Sequence, residues 1–519
     1  MTELEISQQQ RIAALEEELS VLRHQYGVLA RYVFGRRSER TPAEITAQMT
    51  LALETETAPD GEPDAEPSGP DKPKGGSRKG RKVRADLLPD HLPVEETTLI
   101  PPEVKAHPER YEQIGMEEAR KLERIPGKLI ILRVVRPVYR DREAPYAPPL
   151  TAPAQPQFLP GSFFGPQLMV DLTLGKYLYH LPLYRQAKGL EWESGVKLSS
   201  ATMCQTIARI AEAVSGVVRC MADGMWQSGY VQLDLTPVRC LSRARPGGSF
   251  LGQMWVCGRV GGDVIFHWDP SKEAEVLEGI IPPWFTGKIQ ADGGPEIICY
   301  IAGGKGRKRP PRNILRPGCW AHVRRKFFNA MKAGCRIAGR ILKIINVLYR
   351  IEGQARADNL GGEARRQLRQ KRARRVLAGL LRRLERIRAS ERPRSAVGQA
   401  CSYALGQWES LLIYVDHGEV EIDNNSIENA IRPCALGRKN FLFIGEEGAG
   451  KHSATLYSLI GSCLRRGINP RAYLTWLFEK LASATNQILH TLTPGAYAAL
   501  IAATAPADLP RAQAVRTAA

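Results

Sequence analysis

The chain has 519 residues, with 73 Lys and Arg against 54 Asp and Glu, a formal net charge of +19. That length suffices for two to four domains, and the basic surplus favours a polyanionic partner, of which nucleic acid is the commonest. No apolar run reaches the roughly 18 residues of a membrane span, MTELEISQQQ is not a signal peptide, and ten Cys scattered from Cys204 to Cys463 without a C-x-x-C read as reduced cytoplasmic thiols.

Residues 5–33 read as a helix, because Ile12, Leu15, Leu19, Leu22, Tyr26, Leu29 and Val33 follow the alternating spacing of a coiled-coil seam. Phe34-Gly-Arg-Arg-Ser-Glu-Arg40 ends it with a Gly and a basic cluster, in which Arg36 and Arg37 suit phosphate contact. These features define a first segment, 1–45. Residues 46–85 are rich in Pro, Gly, Glu and Lys and read as a disordered linker with a basic second half. Residues 86–160 mix β-like runs, such as Leu129 to Tyr139, with many prolines, and read as a small α+β module.

Residues 165–218 read as helical, with a break at Gly195 and N-caps at Ser199 and Ser200 for a helix to Val218. Two helices about a short turn are compatible with a helix-turn-helix, though most such pairs only pack. The run Gly229-Tyr-Val-Gln-Leu-Asp-Leu-Thr-Pro-Val-Arg-Cys-Leu241 follows. Val231, Leu233 and Leu235 alternate with Gln232 and Asp234, the period of a half-buried strand. An Asp is poorly suited to a strand interior, and metal binding is one reason to keep it there. Two further strands, Gln253 to Val260 and Asp263 to Trp268, flank the hairpin signal Gly261-Gly262. Lys272 to Ile280 reads as a short helix, and a strand from Gly287 ends at a second carboxylate, Asp292. Three strands with an Asp on the first, a helix, then a strand ending in Asp is the layout of a ribonuclease-H-like α/β fold.

Gly318-Cys-Trp-Ala-His-Val-Arg-Arg-Lys-Phe-Phe328 reads as a turn into a basic helix carrying Arg324 and Arg325. An all-α stretch, 330–400, follows. Its Leu368, Leu377, Leu380, Leu381, Leu384 and Ile387 form an apolar face, and Arg372, Arg374 and Arg375 crowd the other side, suited to a phosphate backbone or simply solvated. The densest constellation is 417–445, where Asn424, Asn425 or Ser426 can cap a helix with Glu428 and Arg432 one turn apart. Residues 451–490 read as a C-terminal helical domain and 491–519 as an Ala-rich tail.

Asp234, Asp292 and Glu428 can act together only if the fold closes the gaps between them. Three carboxylates suffice for two Mg²⁺ (or Mn²⁺) ions, which drive phosphodiester chemistry without a protein base. Arg432 and Lys439 would then serve the phosphate charge.

At these residues the chain resembles the transposases of the IS66 family. The matching stretches are FGRRSER, KYLYHLPLYRQ, VQLDLTPVRCL, IQADG, CWAHVRRKFF, DNNSIENAIRPCALGRKNFLF and SLIGSCLRRGINPRAYLTWL, from residue 34 to about 477. The resemblance implies a ribonuclease-H-like catalytic domain over 161–450 with the helical stretch as an insertion. It implies an Asp-Asp-Glu triad: Asp234 in D-x-T-P, Asp292 in A-D-G and Glu428 in N-N-x-x-E-N. Cys319 and His322 match a C-x-x-H element of related transposases; Asn425, Arg432 and Lys439 lie in the Glu-bearing stretch, and Arg438 is a further candidate for DNA contact. The implied activity is cleavage at insertion-sequence ends and joining of the 3′-hydroxyls to target DNA, by a homodimer or higher oligomer in the cytoplasm at the nucleoid, with accessory proteins of the same element as candidate partners. Two other readings are a DNA-binding derivative that no longer catalyses and a nuclease without strand transfer. One departure stands out. Such transposases carry paired cysteines in a small zinc-binding module, and residues 100–150 hold no Cys and one His, His107, so no zinc finger can be built there.

Overall fold

The computed structural model describes residues 127, 129–134, 138–139, 150–151, 153–242, 244–304 and 310–504. By contacts the chain divides into two compact units, Met1–Lys128 and Leu129–Ala519, and the second holds the sheet and its helices. The coiled-coil seam, Arg36, Arg37, the linker and most of the 86–160 module lie outside the described residues. Within that module, β1 (Val138–Tyr139) and β2 (Leu150–Thr151) pair antiparallel. Residues 129–134, expected to be strand, carry no regular structure.

The main sheet holds β3 (Tyr230–Leu241), β4 (Ser249–Gly258), β5 (Val264–Asp269) and β6 (Lys288–Gln290), in the order β5-β4-β3-β6. β3 runs antiparallel to β4 and parallel to β6, and one parallel bridge, Lys288 to Leu315, continues the sheet past β6. The turn between β4 and β5 uses the two expected glycines: Gly261 takes φ 66°, and the Gly262 N–H returns to the Arg259 carbonyl at 3.0 Å.

β3 departs from the half-buried strand that its alternation suggests. It is an interior strand of the sheet and Gln232 is fully buried, so its polar positions face protein rather than water. β6 spans only three residues, and Asp292 lies in the turn beyond it.

Among the described residues, three helices precede the sheet: α1 (Pro166–Tyr177), α2 (Leu183–Ser194) and α3 (Ser200–Trp226). Gly195 ends α2 in the left-handed region at φ 72°, and the Ser199 hydroxyl accepts the Thr202 N–H at 3.1 Å to start α3. α3 continues past Val218 to Trp226. Its stripe of Met203, Ile207, Ile210, Val214 and Val217 is buried in the main core, so it is a packing helix and not a free recognition helix. The helix expected over 272–280 is shorter, α4 (Val276–Ile280), and α5 (Pro295–Ile301) follows β6.

The all-α stretch expected over 330–400 as an insertion is longer than that. It comprises α6 (Trp320–Lys332), α7 (Arg336–Ala357), α8 (Gly362–Leu368), a π turn (Arg369–Ala373), α9 (Arg374–Ser390), α10 (Ala396–Gly406) and α11 (Trp408–Asp416). Its own core includes Trp320, Phe327, Ile345, Leu377, Leu380 and Leu384. Then come α12 (Asn425–Phe441), α13 (Glu447–Arg465), α14 (Pro470–Leu481) and α15 (Pro494–Thr504).

The helices after residue 450 do not form a separate domain. α13 lies against the outer edge of β5, where the Ser458 and Ser462 hydroxyls accept the N–H groups of Phe266 at 2.8 Å and Val264 at 3.0 Å. Those serines satisfy donors that an edge strand would otherwise expose. Ala454, Leu456, Leu459 and Leu477 join the same core as α1 and α3. Part of the expected tail, 494–504, is helix α15.

Candidate active site

Asp234 sits in β3 opposite Val256 of β4, with the Leu235 N–H donating to its Oδ1 at 2.8 Å. Asp292 follows β6 in a turn where Gly293 takes φ 84°. The Gly294 N–H donates to Asp292 Oδ1 at 2.9 Å, and the Tyr403 hydroxyl of α10 donates to the Asp292 carbonyl at 2.9 Å.

Glu428 occupies the first turn of α12. Asn424, one of the three expected caps, is the N-cap of that helix, but its side chain makes no capping bond. The Asp423 carboxylate accepts the Asn425 backbone N–H at 3.1 Å and its side-chain amide at 2.9 Å. Asn424 is fully buried and donates to the Leu233 carbonyl at 3.0 Å, which stitches α12 to β3. The helix approaches so closely that a Cβ on Gly258 would come within 2.7 Å of Ile427.

Asp292 and Glu428 lie near enough for their charges to act on Asp234. Burial pushes the Asp234 carboxyl up to about 7; the Leu235 N–H opposes this, the charges of Asp292 and Glu428 raise it further, and Arg325 opposes. Arg325 donates to Glu428 Oε2 at 3.0 Å, so the pairing of Glu428 with Arg432 that their spacing allows does not form. The other oxygen, Oε1, is buried without a hydrogen bond, and so is His322 Nδ1, 3.8 Å away. Cys319, the N-cap of α6, is buried; burial pushes its thiol up to about 12, against the backbone N–H groups of Asn424 and His322 that point at the sulfur. Cys319, His322 and Glu428 each present a ligand atom within 4.8 Å of the others.

The other predicted residues divide. Arg432 and Lys439 are exposed on α12. Arg438 donates to Thr236 Oγ1 at 3.0 Å and to the Pro237 carbonyl, so it pins α12 to the D-x-T-P element. Arg324 donates to Asn346 at 3.2 Å. Arg372 is bonded to Gln354 at 2.6 Å, and Arg374 is paired with Asp416. Arg375 instead joins Arg382, Arg383 and Arg386 along a groove of about 400 Å³ beside Ile344.

Sequence reasoning missed the support beneath the site. Gln232 Nε2 donates to Gln290 Oε1 at 2.9 Å and to the Asp423 carbonyl at 3.0 Å. Gln290 Nε2 donates to the carbonyls of Gly318 at 3.0 Å and Glu421 at 2.8 Å. The Tyr230 hydroxyl donates to Gln290 and accepts the Glu421 N–H at 3.1 Å. This network joins the strands bearing Asp234 and Asp292 to the segments that lead into Cys319 and Glu428. A second cluster anchors the same segment from the insertion. Arg369, fully buried, donates to both oxygens of buried Glu352 and to the carbonyls of Tyr414, His417 and Val420. Burial alone would raise the Glu421 carboxyl, but Arg365 and Arg356 hold it down to about 2. The one signal in the sequence was polar residues at positions that a buried strand must fill.

A family model described as "Transposase IS66 family" matches residues 161–452, more than half of the chain. The chain belongs to the IS66 family of transposases. In this IS66-family transposase the match includes every element that carries Asp234, Asp292 and Glu428. A second model, described as "Transposase C of IS166 homeodomain", matches residues 21–97, which lie outside the described residues. Similar proteins are the "Uncharacterized protein y4jD" of Sinorhizobium fredii (strain NBRC 101917 / NGR234), 29% identical over 93% of this chain and 96% of its own length, and y4qI of the same organism, 28% identical over 92% and 87%. A third, y4hP, is 27% identical over 95% and 90%. No described helix is long and apolar enough to cross a membrane.

Proposed function

We propose that this transposase cuts phosphodiesters at the ends of its insertion sequence and joins the freed 3′-hydroxyls to target DNA, with Asp234, Asp292 and Glu428 as the catalytic triad of a ribonuclease-H-like domain. The observation that carries this reading is a buried carboxyl, Asp234, that burial above all pushes up to about 7 and that the charges of Asp292 and Glu428, from two other elements, raise further. A carboxyl perturbed by burial and by two like charges marks a candidate functional site. The sheet supports the fold assignment: the first strand is central, antiparallel to the second and parallel to the fourth, and a residual parallel bridge at Leu315 marks where a fifth would lie.

The donor set fits Mg²⁺ or Mn²⁺. All three side chains offer hard oxygens, and Glu428 Oε1 is buried without a partner. Asp234, Asp292 and Glu428 would hold two ions, which when bound supply activation of the attacking oxygen and stabilisation of the leaving one. The chain's own groups set the geometry. The N–H groups of Leu235 and Gly294 orient the two aspartates, Arg325 holds one oxygen of Glu428, and Arg438 keeps α12 on β3. Arg432 and Lys439, exposed on α12, face the phosphate charge.

The partner is DNA, and the chain's surplus of cations supplies sequence-independent affinity. One triad acts on one phosphodiester at a time, so coordinated cutting of two ends calls for at least two chains, and the seam of residues 12–33 is the means to join them. The test is incubation of purified protein with labelled element ends, supercoiled plasmid and Mg²⁺ or Mn²⁺. Nicked ends covalently joined to plasmid support the reading; nicks without joining leave a nuclease, and bound but intact DNA leaves a binding protein.

A further inference from the structure

We propose that Cys319, His322 and Glu428 form a mixed sulfur, nitrogen and oxygen site for a borderline divalent cation of the Zn²⁺ or Co²⁺ type, set against the carboxylate triad and sharing Glu428 with it. The inference goes beyond the proposed activity, because cation binding at these three side chains needs no DNA and no catalysis.

Three observations carry it. First, the ligand atoms of the three residues lie within 4.8 Å of one another. Bonds of about 2.0–2.3 Å from one tetrahedral ion to N, O and S ligands put the ligand atoms roughly 3.3–3.8 Å apart, a separation that His322 Nδ1 and Glu428 Oε1 already have at 3.8 Å. Second, two of the three atoms have no hydrogen bond. His322 Nδ1 and Glu428 Oε1 are buried, face each other at 3.8 Å, and are too far apart to bond directly. Buried polar atoms are normally paired, and a cation between them would satisfy both. Arg325 engages only the other carboxylate oxygen, Oε2, so Oε1 remains open to a ligand. Third, the sulfur is held in place beside the other two ligands. Cys319 is the N-cap of α6, and its sulfur receives the Asn424 N–H at 3.2 Å and the His322 N–H. Burial disfavours the bare thiolate, and a bound cation would supply the charge that deprotonates it.

The spacing C-x-x-H at the start of a helix puts two ligands of this cation one turn apart, and α12 brings the third. With three protein ligands a tetrahedral ion keeps one open position. Thiolate and imidazole select against Mg²⁺, which prefers oxygen ligands alone. Binding exchanges the thiol proton for the cation and releases that proton to solvent.

The test uses the full chain stripped of metal by a chelator, without DNA, titrated with Co²⁺ and followed by calorimetry and visible absorption. The expected result is binding with a sulfur-to-cobalt charge-transfer band. Cys319→Ser removes the band, and His322→Gln weakens binding by at least the roughly 100-fold that losses around a metal site reach. Because Cys319 is buried, His322→Gln, at a partly exposed position, keeps the test valid if the serine variant fails to fold. Asp234→Asn should leave the band and the affinity in place. Absence of the band in the wild type, or affinity lost with Asp234→Asn and kept with His322→Gln, overturns the proposal; the second outcome assigns the cation to the carboxylates alone and leaves the catalytic reading intact. Conversely, the band with no DNA cleavage by the wild type supports this site while the catalytic reading fails.

Discussion

Gln232 and Gln290 meet side chain to side chain across β3 and β6, Nε2 to Oε1 at 2.9 Å. Both are fully buried, and the carbonyls of Gly318, Glu421 and Asp423 depend on them. Gln290→Leu would leave the Gly318 and Glu421 carbonyls and the Tyr230 hydroxyl short of partners. Each buried group left unpaired costs about 1–3 kcal/mol, so the variant should lose about 2–5 kcal/mol of stability in urea unfolding. A loss under about 1 kcal/mol would mean that the network contributes little.

Arg369 and Glu352 are buried together in the insertion. Arg369→Met leaves Arg365 as the remaining partner of Glu352 and unpairs the carbonyls of Tyr414, His417 and Val420, and should cost about 3–5 kcal/mol; Arg369→Met with Glu352→Leu should recover only the part due to the Glu352 charge, since the carbonyls stay unpaired. Unfolding of the three proteins in guanidinium measures the difference, and equal losses in the single and double variants would contradict it.

The Asp234 carboxyl rises on folding from the ordinary aspartate value to about 7. A raised acid favours the folded state below its unfolded value, and that contribution is lost as pH climbs through the folded value. Between about pH 4 and pH 7 the metal-free wild type should therefore lose stability that Asp234→Asn does not lose. At pH 8 in chelator the variant should be the more stable, on the order of 2 kcal/mol. Added Mg²⁺ should raise the wild-type melting temperature and move the variant less. Parallel melting curves from pH 4 to pH 8 would show that the carboxyl is not raised.

The arginines of the insertion should not behave alike. Arg374 is engaged by Asp416, while Arg375, Arg382, Arg383 and Arg386 line an open groove. Neutralising those four should lower the slope of log affinity against log salt by about 0.9 for each phosphate no longer neutralised. Arg374→Gln should leave the slope nearly unchanged. Titration of a labelled duplex at several salt concentrations reads both, and equal slopes in all proteins would make the groove a solvated surface.

The succession of strands along the chain, with Asp234 and Asp292 beside them, was legible in the sequence because each sits in a short local signal: alternation at 231–235, the glycine pair at 261–262, and the Asp before Gly293; Glu428 was singled out by the family resemblance. The partners of those carboxylates were not. Glu428 is one turn from Arg432, yet it pairs with Arg325, 103 residues earlier in the chain, because packing of α12 on β3 turns that face toward α6. The alternation in β3 suggested a wet face, but a polar side chain facing buried protein has the same pattern. Arg374 and Arg375 part because neighbours on α9 point roughly 100° apart, one toward Asp416 and the other into the groove. The placement of α13 against β5 depends on a distant edge strand, so 451–490 read as separate.

The most direct test of the catalytic account is cleavage of labelled element ends by Asp234→Asn, Asp292→Asn and Glu428→Gln, each measured beside its DNA affinity. The account predicts that all three bind the ends within a few-fold of the wild type and cut none of them in Mg²⁺ or Mn²⁺. Cleavage near the wild-type rate by any one of them would remove that carboxylate from the site and contradict the triad.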